Sequence, residues 1–381
     1  MGCKQSKPST EPQAAKESAE SPRPTTPEPV AATGRAATEA AIARLTRQLT
    51  TPAGDPESPW ALAHGLLAFG PEFKARDGRS AVQVAASFAQ PNDEHPPRYG
   101  FPPEQSGKPV EPHPHLIVKT FLEIGLPPAL ELRASDGAAI SVRSLLNDMR
   151  ARMHEPQSDT DWYDAAWWIS ALELDPERDD RLLAPVRDAA LARLEADDAV
   201  LASDAQEPFA TTAPMGAAKR SKRHIYGHPC GGLHFVQAIL RAASASSSPD
   251  FRARTQRQLA LLLRRHTAER ELYAQTLHAH PEVRLIVSGQ QLKFFGHLLE
   301  TLALAVRLGT AGGDPKLTAE LAAAQQLAAA DLLGALEQLE QERAYERLSE
   351  ISAQRPQLAL DLIGDGCHAV HGLRETLPSL P

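Results

Sequence analysis

Two kinds of helical pattern alternate along this chain from about residue 35. In the first kind, apolar residues recur every three or four positions, which predicts an amphipathic helix with one buried face. In the second kind, a shorter stretch is apolar nearly all round, which predicts a helix enclosed by the rest of the fold. The amphipathic stretches are 35–50, 137–153, 178–198, 250–279 and 314–350. The apolar stretches are 60–70, 115–125, 162–174, 230–243, 292–308 and 367–377.

The composition favours helices and excludes several other classes of protein. Aromatic residues make up only 5% of the 381 residues, while Ala and Leu, both strong helix formers, are abundant. A net charge of −8 argues against a nucleic-acid partner, since such proteins carry a basic balance. Three widely spaced cysteines, Cys3, Cys230 and Cys367, do not make a disulfide framework. No apolar run has the roughly 18 residues that a membrane-spanning helix needs.

The apolar stretches also resemble one another, which indicates an internal repeat. One position in the alignment holds His in four of the six stretches, and its residues are His64, Lys119, Ala166, His234, His297 and His371. Successive members are 55, 47, 68, 63 and 74 residues apart, which leaves room for one outer helix, one inner helix and two loops. The position four residues earlier shares the same helix face and holds Trp60, His115, Trp162, Cys230, Lys293 and Cys367.

This alternation of helices resembles the α/α-toroid architecture shared by terpenoid cyclases, protein prenyltransferase β-subunits and lanthionine cyclases. The resemblance covers most of the chain and implies an all-α domain over residues 35–381. Its architecture would be an (α/α)6 toroid of alternating outer and inner helices. All inner helices would run the same way, so their first turns would meet at the mouth of a central cavity.

Thiol and imidazole side chains are concentrated at the predicted cavity mouth. Both groups suit zinc, and a catalytic zinc site uses three protein ligands and one open position. The predicted metal ligands are Cys230, Cys367 and His368, and the predicted catalytic residues are His234, His297 and His371. The pair Cys367-His368, following an earlier Cys230, is similar to the lanthionine-cyclase arrangement. His228-Pro-Cys230 has the spacing of the prenyltransferase Asp-x-Cys ligand pair, with His in place of Asp.

Charged residues near the same mouth suggest two kinds of ligand. Lys219 and Arg220, with Lys293, are predicted to attract an anion such as a phosphate. As an alternative, the chain is a carbohydrate-active enzyme that uses two facing carboxyl groups, drawn from Asp161, Asp164 or Glu300. A third hypothesis is a non-enzymatic interaction scaffold. The predicted partner in the cavity is therefore a small molecule or a glycan, bound by a monomer.

The first 34 residues predict a lipid-anchored tether rather than part of the domain. Met1-Gly2-Cys3 resembles an N-myristoylation signal, with Cys3 suited to palmitoylation. Gly-Cys also resembles the end of a bacterial lipoprotein signal. Both interpretations place a lipid on Gly2 or Cys3, with a bacterial cell envelope favoured and a cytoplasmic membrane face if the chain is myristoylated. Residues 4–34 are rich in Pro, Ser, Thr and charged residues, a composition that remains disordered.

Overall fold

The structure of the protein is a computed structural model that describes residues 34–92, 98–153, 156–204, 230 and 232–380. Within these ranges about 71% of the residues are helical and 5% are in strands. The prediction of an all-α chain is therefore confirmed. The N-terminal tether and its lipidation residues Gly2 and Cys3 lie outside the described residues, as do Lys219 and Arg220.

Thirteen α-helices occupy the described ranges. They are α1 (Arg35–Ala53), α2 (Pro59–Phe69), α3 (Ala81–Ala86), α4 (Leu116–Glu123), α5 (Val142–Arg152), α6 (Asp159–Leu174), α7 (Asp180–Asp204), α8 (Leu233–Ala245), α9 (Pro249–Ala279), α10 (Arg284–Arg307), α11 (Pro315–Gln341), α12 (Leu348–Gln354) and α13 (Pro356–Thr376). Short 3-10 turns at Pro281–Val283 and Leu377–Ser379 precede α10 and follow α13.

Several helices begin where a capping residue is followed by proline. Ser58 accepts a hydrogen bond from the backbone N–H of Ala61, and Ser248 does the same at the start of α9. Asp314 accepts two backbone N–H groups at the start of α11. In each case a proline occupies the first helical position, where its missing N–H costs no hydrogen bond. The local sequence thus sets these three helix starts.

Three short antiparallel hairpins interrupt the helices between α3 and α5. They pair β1 (Gln90–Pro91) with β2 (Tyr99–Gly100), β3 (Glu104–Gln105) with β4 (Lys108–Pro109), and β5 (Glu131–Arg133) with β6 (Ala139–Ser141). In the β3–β4 turn, Ser106 and Gly107 both have positive φ, at 52° and 77°. A two-residue turn with positive φ at both positions follows the twist of the two strands.

Six helices carry the predicted inner segments, and they contact one another in a cycle. Helix α2 contacts α4, α4 contacts α6, α6 contacts α8, α8 contacts α10, α10 contacts α13, and α13 contacts α2. These helices are buried along most of their length; in α2 every residue from Ala61 to Ala68 is buried. A helix that is apolar all round needs such enclosure, so the sequence pattern and the burial agree.

Helices α1 and α9 each pack against members of this cycle with one face buried. In α1, Ala41, Leu45 and Leu49 are buried at a spacing of four residues, and α1 contacts α2, α11 and α13. Helix α9 lies against α7, α8, α10 and α11. None of the described helices is both long and apolar enough to cross a membrane.

Candidate metal centre

Three histidines from three different helices meet in the interior. His234 is near the start of α8, His297 is in the middle of α10, and His368 is in α13. All three are at most 8% exposed, and one ring nitrogen from each lies within 4.8 Å of the others. The nitrogen ligands of a tetrahedral zinc lie roughly 3.3 Å apart, so small side-chain rotations bring these rings to metal-binding distance. The three histidines are close enough to hold a metal ion.

Close packing of α10 on α13 brings two of these histidines together. A Cβ added at Gly372 would lie 3.1 Å from the backbone oxygen of Gly296 and from the backbone nitrogen of Glu300. The glycines at positions 296 and 372 therefore allow a close approach of the two helices that any side chain there would force slightly apart. The rings of His297 and His368 consequently have centroids only 3.9 Å apart.

A buried carboxylate, Glu300, accepts hydrogen bonds from His368 of the cluster and from the neighbouring His371. Nδ1 of His368 donates to its two oxygens at 3.0 and 2.9 Å, and Nδ1 of His371 donates at 2.7 Å. Nδ1 of His297 lies 3.5 Å away. Because Nδ1 of His368 carries this hydrogen bond, its Nε2 is the nitrogen left for a metal. A carboxylate behind a ligating imidazole is the usual outer-shell arrangement of protein metal sites.

The protonation states of two of the three histidines, His234 and His368, suit metal binding. Burial lowers the pKa of His234 and of His368 well below the ordinary value, so both rings are neutral, which is the form that binds metals. Burial opposes the charge on Glu300 as well, but the neighbouring imidazoles hold its pKa well below the ordinary value. Burial also lowers the pKa of His297, but Asp365 and Glu300 outweigh it and the net shift is upward.

Two more acids and a lysine lie beside the cluster. Nε2 of His297 is 3.4 Å from Oδ1 of Asp365. Nζ of Lys293 is 3.0 Å from Oδ1 of Asp361 and 3.6 Å from Oδ2 of Asp365. Two buried atoms here, Nδ1 of His297 and Oδ2 of Asp365, have no hydrogen-bond partner within the described residues. A buried polar atom without a protein partner needs an explanation, and a bound water or ion is one.

The cluster opens into a cavity of about 770 Å³, which is in the size range of small-molecule sites. Aromatic rings form much of its wall. The ring of Trp60 lies 4.3 Å from that of His64, and His113 stacks on Trp167 at 4.6 Å. Trp167 also contacts His234, at 4.9 Å. The cavity wall therefore combines stacking surfaces with the histidine cluster.

The predicted thiol ligands lie apart from the cluster. Cys230 lines the cavity, whereas Cys367 is buried in α13 and is not among the described lining residues. Burial raises the pKa of Cys230 to about 12 and raises that of Cys367 as well, so both stay protonated, and the thiolate is the form that binds metals. The metal-competent group in the described part of the chain is three histidines and contains neither thiol.

The structure brings some of the predicted catalytic and metal-binding residues together and separates others. His234 and His297, predicted as catalytic, join His368, predicted as a ligand. His371, which the repeat alignment placed with them, instead holds Glu300. The alignment of the last repeat differs from the structure by three residues, almost one helical turn. Lys293 lines the cavity as expected for an anion contact, but two carboxylates already surround it.

The carboxylates named for a carbohydrate-active site do not gather in this cavity. Asp161 accepts hydrogen bonds from the backbone N–H groups of Gln157 and Ser158 and so caps α6. Neither Asp161 nor Asp164 is among the described residues that line the cavity. Glu300 is enclosed by histidines. Helix capping therefore accounts for Asp161.

Sequence reasoning missed Asp361, Asp365 and His113. A signal for the two acids was present, because positions 361, 365 and 368 follow the i, i+4, i+7 spacing of one helix face. No comparable signal marks His113, since it lies in an irregular segment before α4. Its position against Trp167 depends on the fold of that segment.

No protein-family model, no curated protein and no solved structure matches this chain. The site is therefore interpreted from its geometry alone.

A buried acid fixes the segment that carries His113. Oε1 of Glu111 accepts the backbone N–H of Ile117 at 2.8 Å and so caps α4. His115, the residue immediately before α4, has a positive φ of 70° and provides no side-chain cap. Glu111 is 4% exposed, and burial raises its pKa to about 7.

Glu111→Gln is expected to remove a pH dependence of stability. In the wild type the folded carboxyl keeps its proton up to about pH 7, whereas the unfolded one loses it near pH 4.5, so the free energy of unfolding falls as pH rises between these values. At pH 8 the variant is expected to be more stable than the wild type by about 3 kcal/mol, because each unit of pKa shift corresponds to about 1.4 kcal/mol. Urea unfolding at pH 4.5, 6 and 8 measures this difference. The exposed Glu131→Gln is the control, and a Glu111→Gln difference that is the same at every pH would contradict the assignment.

Proposed function

We propose that this protein is a metal-dependent enzyme in which His234, His297 and His368 bind a zinc-class divalent ion that faces a small-molecule cavity. The observation that carries the proposal is the meeting of three buried imidazoles from three helices, with ligand nitrogens within 4.8 Å of one another. Three protein ligands leave a coordination position for water or substrate, the pattern of catalytic rather than structural zinc.

The donor set supports a transition metal over magnesium or calcium. Imidazole nitrogen suits zinc, iron, copper and nickel, whereas Mg²⁺ and Ca²⁺ prefer oxygen ligands. The neutral state of His234 and His368 and the carboxylate behind His368 fit the same class of ion. The unsatisfied Nδ1 of His297 supports it too. A bound ion would act as a Lewis acid on an oxygen of a molecule in the cavity.

The helix contacts support an (α/α)6 toroid as the scaffold. The cycle from α2 through α4, α6, α8, α10 and α13 back to α2 is what six inner helices of a ring would give. Outer helices against this cycle fit the same architecture. In a toroid the inner helices enclose the central cavity, and three helices of this cycle carry the three histidines. We retain the lipid anchor at Gly2 or Cys3 as part of the proposal, on the sequence signal alone.

Metal binding by the purified protein tests the proposal. After treatment with a chelator, the protein is expected to bind one equivalent of Zn²⁺ or Co²⁺, and the cobalt form is expected to absorb visible light as four- and five-coordinate Co²⁺ does. Because an ion that binds only the native state stabilises it, zinc is also expected to raise the Tm. Mg²⁺ is the control and is expected to do neither. Absence of zinc and cobalt binding at micromolar concentrations would refute the proposal.

A further inference from the structure

Resting on the metal centre proposed above, we propose that Asp365 binds and orients the water held by the metal, and that the centre hydrolyses a neutral amide or ester. Asp365 lies on α13 three residues before His368 and lines the cavity. It is only 7% exposed. Its role follows from where its two oxygens lie.

The two oxygens of Asp365 have different surroundings. Oδ1 is 3.4 Å from Nε2 of His297, which places the carboxylate next to the histidine cluster. Oδ2 is buried and has no hydrogen-bond partner within the described residues. The ammonium of Lys293 lies 3.6 Å from it, within ion-pair range but beyond hydrogen-bonding distance. One acceptor of a buried acid is therefore available to a ligand in the cavity.

The distances favour contact with a metal-bound water over direct ligation. The three histidine nitrogens are mutually within 4.8 Å, and Asp365 is not part of that group. A group that hydrogen-bonds a metal-bound water lies farther from the ion than a ligand does, by one hydrogen bond of about 2.6–3.2 Å. Asp365 adjoins the cluster at His297 but is not within 4.8 Å of all three histidine nitrogens, so it fits this outer position.

The proposed step is balanced without any further reagent. An O–H bond of the metal-bound water breaks and its proton goes to the Asp365 carboxylate. The hydroxide forms a bond to the carbonyl carbon, whose π electron pair moves to the oxygen and is stabilised by the ion. The tetrahedral intermediate then re-forms the C=O bond and breaks the C–N or C–O bond. The leaving amine or alcohol takes the proton back from Asp365.

The charges of the cavity favour a neutral carbonyl compound over a phosphate ester. The described lining residues include four carboxylates and only two ammonium groups. The carboxylates are Asp55, Glu57, Asp361 and Asp365, and the ammonium groups are Lys108 and Lys293. Lys293 is already held by Asp361 at 3.0 Å. The described wall therefore offers no uncompensated cation to pair with a phosphate dianion.

The remaining wall is apolar and aromatic. Trp60, Trp167, Leu116 and Leu360 all line the cavity, and such surfaces bind the apolar part of a small ligand. The volume of about 770 Å³ accommodates a molecule of several rings. The substrate class is accordingly a small amide or ester with an apolar or aromatic substituent.

Acetohydroxamic acid tests this role without knowledge of the substrate. It binds a metal through two oxygens and gives up a proton as it does so, which a neighbouring carboxylate accepts. We expect Asp365→Asn to weaken its binding to the Co²⁺ form roughly 10- to 100-fold, the range for a hydrogen bond to a charged group, with Co²⁺ affinity unchanged. Asp331→Asn is the matched control, because Asp331 on α11 also lies beside a buried imidazole, 3.0 Å from Nε2 of His266, but is not among the described residues of the cavity wall. It is expected to bind acetohydroxamic acid as the wild type does.

Different failures are distinguishable in this experiment. Equal acetohydroxamate affinity in Asp365→Asn and the wild type would overturn the role of Asp365 while the metal centre stands. A large loss of Co²⁺ affinity in Asp365→Asn would overturn it too, because Asp365 would then be a ligand. Inorganic phosphate binding more tightly than acetohydroxamic acid would overturn the carbonyl assignment. If the wild type binds no Co²⁺, the proposed function itself fails.

Discussion

Glu123→Ala is expected to lower the free energy of unfolding by about 3–5 kcal/mol, the range for removing one member of a buried ion pair. Glu123 forms ion pairs with Lys119 on α4 and with Arg241 on α8. All three side chains are at most 9% exposed. Burial opposes the charge of Glu123, but the two cations outweigh it and lower its pKa. Without Glu123, two buried cations would lose the carboxylate that pairs with both of them.

Urea unfolding followed by circular dichroism measures the effect. The control is Glu350→Ala, which removes an exposed carboxylate that pairs with Arg347 at 2.9 Å. Exposed pairs of this kind contribute little to stability, so no measurable change in the unfolding midpoint is expected. A Glu123→Ala variant as stable as the control would mean that water reaches Lys119 and Arg241. The pairing would then be no more than a surface contact.

The inner helices were predictable because their pattern depends on burial alone. The stretches 60–70 and 292–308 are apolar nearly all round, and α2 and α10 contain them. The ring that the repeats predict remains a prediction, and the contact cycle supports it. The hairpins between α3 and α5 were not predicted. Their strands are two or three residues long, too short for an alternating pattern to emerge.

Only part of the histidine cluster was predictable from the repeat alignment, because such an alignment works only when every repeat keeps its register. His234 and His297 share the aligned position and meet in space. In the last repeat the aligned residue is His371, but His368 occupies the cluster. Residues three apart lie on one helix face, so the sequence alone did not separate them. The decisive contact, between Gly372 and Gly296, is tertiary.

The role of the thiols was not accessible to sequence reasoning. Spacing makes Cys230 and Cys367 reasonable zinc ligands, but whether a thiol ionises depends on burial and on neighbouring charges. Both cysteines are buried, and their pKa values are raised. Glu300, named from the sequence only as a possible sugar-cleaving acid, lies instead behind the imidazoles. Its function depends on which side chains surround it.

Metal affinity is expected to fall most when a ligand is removed, and less when the carboxylate behind that ligand is removed. His368→Ala removes a ligand and is expected to weaken Zn²⁺ binding by more than about 100-fold. Glu300→Gln keeps all three ligands but removes the carboxylate that orients His368. Outer-shell changes of this kind cost roughly 10- to 100-fold, so this variant is expected to fall between His368→Ala and the wild type. Competition with a chromophoric chelator measures the three affinities.

His266→Gln is the matched control for this series. His266 is 2% exposed and its Nε2 lies 3.0 Å from Asp331, so it resembles His368 in burial and in its carboxylate partner. It lies on α9 and is not among the described residues of the cavity wall, and its loss is expected to leave Zn²⁺ affinity unchanged. If Glu300→Gln weakened binding as much as His368→Ala, Glu300 would itself be a ligand. If His266→Gln and His368→Ala gave equal losses, the ion would not be held by the three-histidine cluster, because damage to the fold alone would then explain both.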